Sequence, residues 1–123
     1  EAKELSKLSI NTIAIMSNDV LQYPDDSYEN MKLFAEKYDF IFPYLFDESQ
    51  EVAKQYGAVC TPDIFGFNNK KLLCYRGRID SAVMRSDNQK IDRELYNAMV
   101  KIKNDGIGPD KQLNSFGCSI KWK

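Results

Sequence analysis

The stretch that decides the fold is FPYLFDESQEVAKQYGAVCTPD, residues 42–63. It begins with an aromatic segment that Pro43 confines to an edge strand or to the end of a strand. The pattern then predicts a helix from about Ser49 to Tyr56, with Gly57 at the position of a left-handed cap. An apolar run follows, and Pro62 interrupts it near its start. The stretch therefore predicts a short strand, a helix and a second strand with a proline at its entrance.

Helix-like and strand-like patterns alternate on the N-terminal side of this stretch, as is typical of an α/β fold. Residues 1–9 have a helical pattern, and the Ile-rich run at 10–16 fits a strand buried on both faces. Asp26 and Glu29 resemble a capping box at the start of a helix from about Ser27 to Tyr38.

On the C-terminal side, Asn68-Asn69 predicts a hairpin turn, because asparagine tolerates a positive φ. The return strand is expected over Lys71 to Arg78, followed by a polar loop near 81–88. An apolar stripe then marks a last helix that ends at Gly106. The stripe consists of Ile91, Leu95, Ala98, Met99 and Ile102.

The expected domain organisation is one domain over residues 1–106 and a C-terminal tail over 107–123. The tail has no regular pattern, but it contains the only tryptophan, Trp122. Since so large an apolar side chain is costly to leave in water, we expect the tail to dock on the domain.

Composition excludes several classes of function. The chain has 123 residues, a net charge of −1 and 43% hydrophobic residues, which is typical of one globular domain. The balanced charge argues against nucleic acid or an anionic membrane as partner, and no apolar run reaches the roughly 20 residues of a membrane span. Histidine is absent, so catalysis and metal binding by imidazole are excluded within these residues. We expect neither a metal nor a cofactor.

Five segments together resemble the thioredoxin-like proteins related to alkyl hydroperoxide reductase and the thiol-specific antioxidants. They are IAIMSNDV at 13–20, YPDDSYENMK at 23–32, residues 42–63, YRGRID at 75–80 and GCSIKW at 117–122. The resemblance covers nearly the whole chain and implies a three-layer α/β/α thioredoxin-like fold.

The same resemblance implies that the fold is truncated at its N-terminus. In this family a C-x-x-C sequence precedes the region that begins here, and this chain contains none. Residues 1–9 read as the end of the active-site helix, without a start signal of their own. We therefore expect that the chain is cut from a longer protein.

Thr61-Pro62 is the best-placed candidate site. By resemblance, Pro62 takes the cis form, packs against the C-x-x-C and leaves the backbone of Thr61 free to pair with an extended substrate segment. The alternative is a proline that only begins a strand.

The three cysteines, Cys60, Cys74 and Cys118, do not form a convincing zinc site without histidine. Cys60 and Cys118 are the candidate catalytic thiols, Cys118 as a resolving cysteine, and a disulfide between them is left open. The alternative for each is an inert structural residue, which is our interpretation of Cys74. The odd number of cysteines favours a reducing compartment, the cytoplasm.

Charged residues near these positions have structural interpretations. Arg76 and Arg78 are expected to lie in solvent or to pair with Asp80, with an anion site as the alternative. The acidic pairs Asp25-Asp26 and Asp47-Glu48 are interpreted as helix caps.

Two functions follow from the resemblance. The first is a thiol-disulfide oxidoreductase or thiol-dependent peroxidase, whose partners are a disulfide or peroxide substrate and a thiol electron donor. The alternative is a catalytically inactive module that binds a peptide or protein beside Pro62. The central strand that the family places between the strands at 12–16 and 62–67 would be missing from this chain. We expect the open edges to be filled by an N-terminal segment or paired in a homodimer or strand swap.

Overall fold

The computed structural model describes residues 1–82 and 91–123, so the predicted loop near 81–88 lies largely outside the described residues. Four α-helices are present: α1 (Ala2–Ser6), α2 (Tyr28–Lys37), α3 (Glu51–Tyr56) and α4 (Glu94–Asp105). A 3₁₀ turn spans Pro24–Asp26. The strands are β1 (Ala14–Met16), β2 (Tyr44–Phe46), β3 (Cys60–Thr61), β4 (Ile64–Phe67), β5 (Leu73–Gly77) and β6 (Cys118–Ser119).

The described strands form three separate pairs. β1 and β2 are parallel, with Ile15 opposite Leu45, and β4 and β5 form an antiparallel hairpin. β3 pairs antiparallel with β6, which brings the C-terminal tail onto the middle of the chain. The mixture of a parallel pair with a terminal hairpin and helix is the predicted α/β arrangement.

β1 and β4 each pair on one edge only among the strands of the described ranges. Apolar side chains beside these edges remain in water, among them Ile13, Ile15 and Leu45, which are 42–61% exposed. An apolar strand with a free edge is a template for pairing with another strand. Each of these two strands therefore has one edge available for pairing, and the central strand that the resemblance implies between them remains a prediction.

The core lies between the hairpin and α4. It consists of Leu5, Tyr75, Leu95, Ala98, Met99 and Ile102. Tyr75 is 1% exposed, and its hydroxyl donates a 2.6 Å hydrogen bond to the carbonyl of Arg78. Burial, with the nearby Glu94 carboxylate, raises the pKa of Tyr75 to about 12. The apolar stripe of α4 thus packs on β5 around a tyrosine that stays protonated.

Helix ends follow the sequence signals with one correction. Gly57 and Gly106 take the left-handed conformation after α3 and α4, at φ +71° and +75°. The expected cap Asp26 is wrong, because Ser27 is the N-cap of α2 and accepts from the amide of Asn30. Asp26 instead accepts a 3.1 Å hydrogen bond from the side chain of Asn18.

The hairpin turn is also different from the predicted one. Lys71, at φ +63°, takes the left-handed conformation rather than either asparagine. The side chain of Asn68 accepts hydrogen bonds from the amides of Lys70 and Leu72. Asparagine serves this turn through its side-chain acceptor and not through its backbone freedom.

Asp47 connects the end of β2 to the start of α3. Its buried carboxylate accepts from the amides of Val52 and Ala53 and from the Ser17 hydroxyl. Burial acts to raise the pKa of Asp47, but the hydrogen bonds, led by the Ala53 amide, hold it below its ordinary value. The N-cap position of α3 is Gln50, but the Asp47 side chain caps the first-turn amides of the helix, and it also ties the end of β1 to α3 through Ser17.

Replacing this carboxylate should make stability less dependent on pH. Because the folded pKa is lowered, the charge stabilises the protein above the unfolded pKa of about 3.9 and loses that effect as the pH falls through the folded pKa. We expect Asp47→Asn to lower the free energy of unfolding at pH 7 by about 1–2 kcal/mol. Urea unfolding from pH 7 to pH 3 should show this difference shrinking below about pH 4.

The exposed neighbour Glu48 provides the control. Glu48→Gln should change the free energy of unfolding by less than about 0.5 kcal/mol. A deficit of Asp47→Asn that stays constant down to pH 3 would show that the charge has no part in the cap.

Candidate functional site

The candidate site is built around the link between β3 and β4. The Thr61–Pro62 peptide bond is cis, the form that the resemblance implied. β3 ends at Thr61 and β4 begins at Ile64, so only Pro62 and Asp63 join the two strands. The link places the backbone of Thr61 at the edge of the hairpin.

Asp63 organises this link, and sequence reasoning did not single it out. Its side chain is only 4% exposed. The carboxylate accepts from the Val59 amide at 3.4 Å, from the Ser115 hydroxyl at 3.0 Å and from the Arg76 guanidinium at 3.2 Å. The only sequence signal was an aspartate directly after the proline, in a position that a solvated turn would also explain.

The two arginines have partners other than the expected Asp80. Arg76 donates to Asp63 and to the carbonyl of Gly57, the latter at 2.6 Å. Arg78 donates to Glu94 of α4 through Nε, at 2.8 Å, and through Nη2. The predicted pairing with Asp80 is therefore wrong, because carboxylates from other elements lie closer to both guanidinium groups.

The tail covers the edge that was expected to be free. In the antiparallel pair of β3 with β6, Thr61 lies opposite Cys118 and Cys60 lies opposite Ser119. The Ile120 amide extends the pairing with a 3.2 Å hydrogen bond to the carbonyl of Val59. The expectation that the backbone of Thr61 is free for an extended substrate is thus wrong for this chain, because its own tail is paired there.

The two candidate thiols lie close in register but on opposite faces. Successive side chains of a strand point to opposite faces, so Cys118 shares a face with Thr61, and Cys60 shares one with Ser119. All three cysteines are free, and the Cys60–Cys118 disulfide left open by the sequence is not formed. Cys118 is exposed, and Cys60 is half-buried with its sulfur 3.7 Å from the carbonyl of Pro62. Burial raises the pKa of the Cys60 thiol, with a smaller contribution from Asp63.

The end of the tail is anchored by Gln50, a residue that the sequence pattern did not single out. Gln50, 2% exposed, donates to the carbonyls of Ser17 and Lys121 and accepts from the amide of Lys123. Ile120 is buried, whereas Trp122 remains 42% exposed. Gln50 lies in the predicted first turn of a helix, and the local sequence there does not indicate that its side chain would bond to the distant tail.

A pair of parallel strands, a terminal hairpin and a final helix, with a proline at the entrance to the hairpin, define a thioredoxin-like fold. A profile of the AhpC/TSA family matches residues 1–80. The chain belongs to the AhpC/TSA family. Membership agrees with the family resemblance read from the sequence.

Two solved structures are similar over 99% of this chain. One is an uncharacterized conserved protein from Geobacillus kaustophilus, with 44% identity and a TM-score of 0.86. The other is a hypothetical protein from Sinorhizobium meliloti 1021, with 35% identity and a TM-score of 0.85. This chain spans 65% and 68% of their lengths. No curated protein matches the chain significantly.

Over residues 1–82 and 91–123, no group of three Cys, Asp or Glu side chains is placed to hold a metal ion. None of the described helices combines the length and the apolar character needed to cross a membrane.

The different surroundings of the thiols predict different rates of alkylation. Thiolates are the reactive species, so a raised pKa and partial burial should slow Cys60. We expect iodoacetamide at pH 8 to label Cys118 at least ten times faster than Cys60, as measured by peptide mass spectrometry. In urea the two rates should converge, and equal rates in the folded chain would contradict the assignment.

Proposed function

We propose that this chain is the C-terminal part of a thiol-dependent oxidoreductase whose reactive thiol is carried by a segment ahead of residue 1. The observation that carries the proposal is the placement of Cys118. This exposed thiol lies opposite Thr61, beside the proline that family resemblance assigns to the edge of the redox centre. A tail thiol in that position suits a resolving cysteine.

The proposed reaction needs two thiols and an external donor. The reactive thiolate attacks a hydroperoxide, the O–O bond breaks, an alcohol leaves with a proton, and the sulfur is oxidised to a sulfenic acid. The Cys118 thiolate attacks that sulfur, an S–S bond forms and water leaves. A dithiol donor then reduces the disulfide and is itself oxidised. With a disulfide as substrate, the first step is a thiol exchange and the same donor closes the cycle.

The open edges of β1 and β4 support a further strand between them. Ile13, Ile15 and Leu45 around β1 are 42–61% exposed, and Phe67 of β4 is 39% exposed, so a further strand would find apolar surface to cover. A strand and helix entering between the two sheets would cover apolar side chains such as Ile15 and bring a thiol towards Thr61.

The inactive binding module is less well supported. That function requires a free edge beside Pro62, and the backbone there is paired with Cys118 and Ser119. Its remaining support is the lack of a C-x-x-C within these 123 residues. The three free thiols favour a reducing compartment, and we infer the cytoplasm.

The test of the function uses the polypeptide extended by the residues that its gene encodes ahead of residue 1. We expect it to reduce hydrogen peroxide or a small aromatic disulfide in the presence of dithiothreitol, and the 123-residue chain to do so at least 100-fold more slowly. Cys118→Ser should lower turnover at least ten-fold when thioredoxin-type dithiols are the donor. The matched control is Cys74→Ser, in β5 at the edge of the core, which should keep turnover within two-fold.

A lack of turnover by the extended polypeptide, with its cysteines reduced, would reject the oxidoreductase. Equal effects of Cys118→Ser and Cys74→Ser would reject the resolving role and leave the oxidoreductase in place.

The open edges predict a difference in association. The 123-residue chain should form dimers or larger species at about 50 μM, since its apolar strand edges are unfilled. The extended polypeptide should sediment with less self-association. Sedimentation velocity measures both, and a monomeric 123-residue chain at this concentration would show that the edges do not drive pairing.

A further inference from the structure

The main chain of the tail lies unusually close to the main chain of β3. Gly117 lies against the carbonyl of Thr61 so tightly that a Cβ atom at this position would collide with that oxygen. The same Cβ would lie 3.4 Å from the ring of Pro62. The main chain of the tail therefore approaches the Thr61–Pro62 link in the way that only glycine permits.

Side-chain contacts hold the segment in this register. Ser115 donates to Asp63, the aspartate directly after Pro62. The Thr61 hydroxyl lies 3.4 Å from the carbonyl of Cys118, and Ile120 is buried two residues further on. Contacts on both sides of residues 117–119 thus keep this segment on the edge of β3.

We propose that residues 117–119 act as an internal substrate-like strand that excludes extended polypeptides from the redox site, with Gly117 as the residue that sets this specificity. The inference rests on the proposed oxidoreductase function. Recognition of an extended chain at a strand edge depends on free main-chain donors and acceptors. Those of Thr61 are already engaged by the tail. Small oxidants need no such pairing and can reach the thiol beside the strand.

The first test compares an extended with a small substrate, using the polypeptide with its upstream residues. The probes are insulin, which presents disulfides within polypeptide, and a small aromatic disulfide. We expect Gly117→Val to raise the ratio of kcat/KM for insulin to kcat/KM for the small disulfide at least ten-fold. Asn114→Val, at an exposed tail position, is the matched control and should leave this ratio within two-fold.

The second test needs no redox activity and uses the 123-residue chain. A peptide with the sequence of residues 113–123, carrying serine in place of Cys118, is added to the wild type and to Gly117→Val. The peptide should bind the variant at least ten times more tightly than the wild type and protect the Thr61 amide from hydrogen exchange. Gly117→Ala provides a smaller perturbation if circular dichroism shows that the valine variant does not fold.

The outcomes separate the two proposals. If the protein with its upstream residues reduces neither insulin nor the small disulfide, the oxidoreductase function is rejected. Peptide binding to the 123-residue chain then decides whether the edge of β3 is a site for docking a strand. An active protein whose substrate ratio is unchanged by Gly117→Val overturns the inference and leaves the function intact. Wild-type turnover of insulin as fast as that of the small disulfide would overturn it as well.

Discussion

The pairing of the C-terminal tail with β3 is the interaction on which the rest of the arrangement depends. The backbone beside Pro62 pairs with residues 118 and 119, and the Ile120 amide extends this pairing to the carbonyl of Val59. Two residues beyond this pairing, the carbonyl of Lys121 accepts from the Asp19 amide and from the Gln50 side chain, next to the end of β1. The tail therefore contacts both the hairpin and the parallel pair of strands. The covered edge and the exposed Cys118 both result from this one path of the chain.

Buried polar side chains fix that path more than apolar packing does. Each of Asp47, Gln50 and Asp63 joins segments that are distant in sequence, and each is largely hidden from water. A buried carboxylate or amide without partners would cost a large part of its hydration free energy, so the partners have little freedom to separate. Apolar contacts near β1 and β2 are looser, since Ile15 and Leu45 stay half-exposed. The polar contacts therefore define the geometry where the hydrophobic core is incomplete.

Local features of the fold could be predicted from the sequence. Apolar spacing located α2 and α4, and glycine located the ends of α3 and α4, because periodicity and positive φ are properties of neighbouring residues. The cap of α2 was misplaced by one residue, since Asp26 and Ser27 are both good caps and the choice depended on Asn18. The hairpin was predicted correctly, but the residue with a positive φ was not, because the Asn68 side chain serves the turn as an acceptor instead.

The candidate site could be predicted only in part. Pro62 and the thiols were found through resemblance, but the pairs Asp63–Arg76, Asp63–Ser115 and Gln50–Lys121 join segments at least 13 residues apart. No local pattern specifies such pairs, since an exposed turn or strand end would account for the same residue types. The sequence predicted that the tail docks on the domain, but it did not predict the edge on which the tail docks. Its position depends on Gly117, because a side chain there would collide with the Thr61 carbonyl, and this contact is visible only in the folded structure.

The register of the tail determines which of its side chains lies beside Thr61. A slip by one residue would move every side chain of β6 to the other face, so Ser119 would take the place of Cys118 beside Thr61. The slip would also move Ile120 out of its buried position and bring a side chain onto the Thr61 carbonyl in place of Gly117. Both changes are unfavourable, and each is caused by a residue within two positions of Cys118. The residues that flank the cysteine therefore determine its placement, and the sulfur itself contributes little to it.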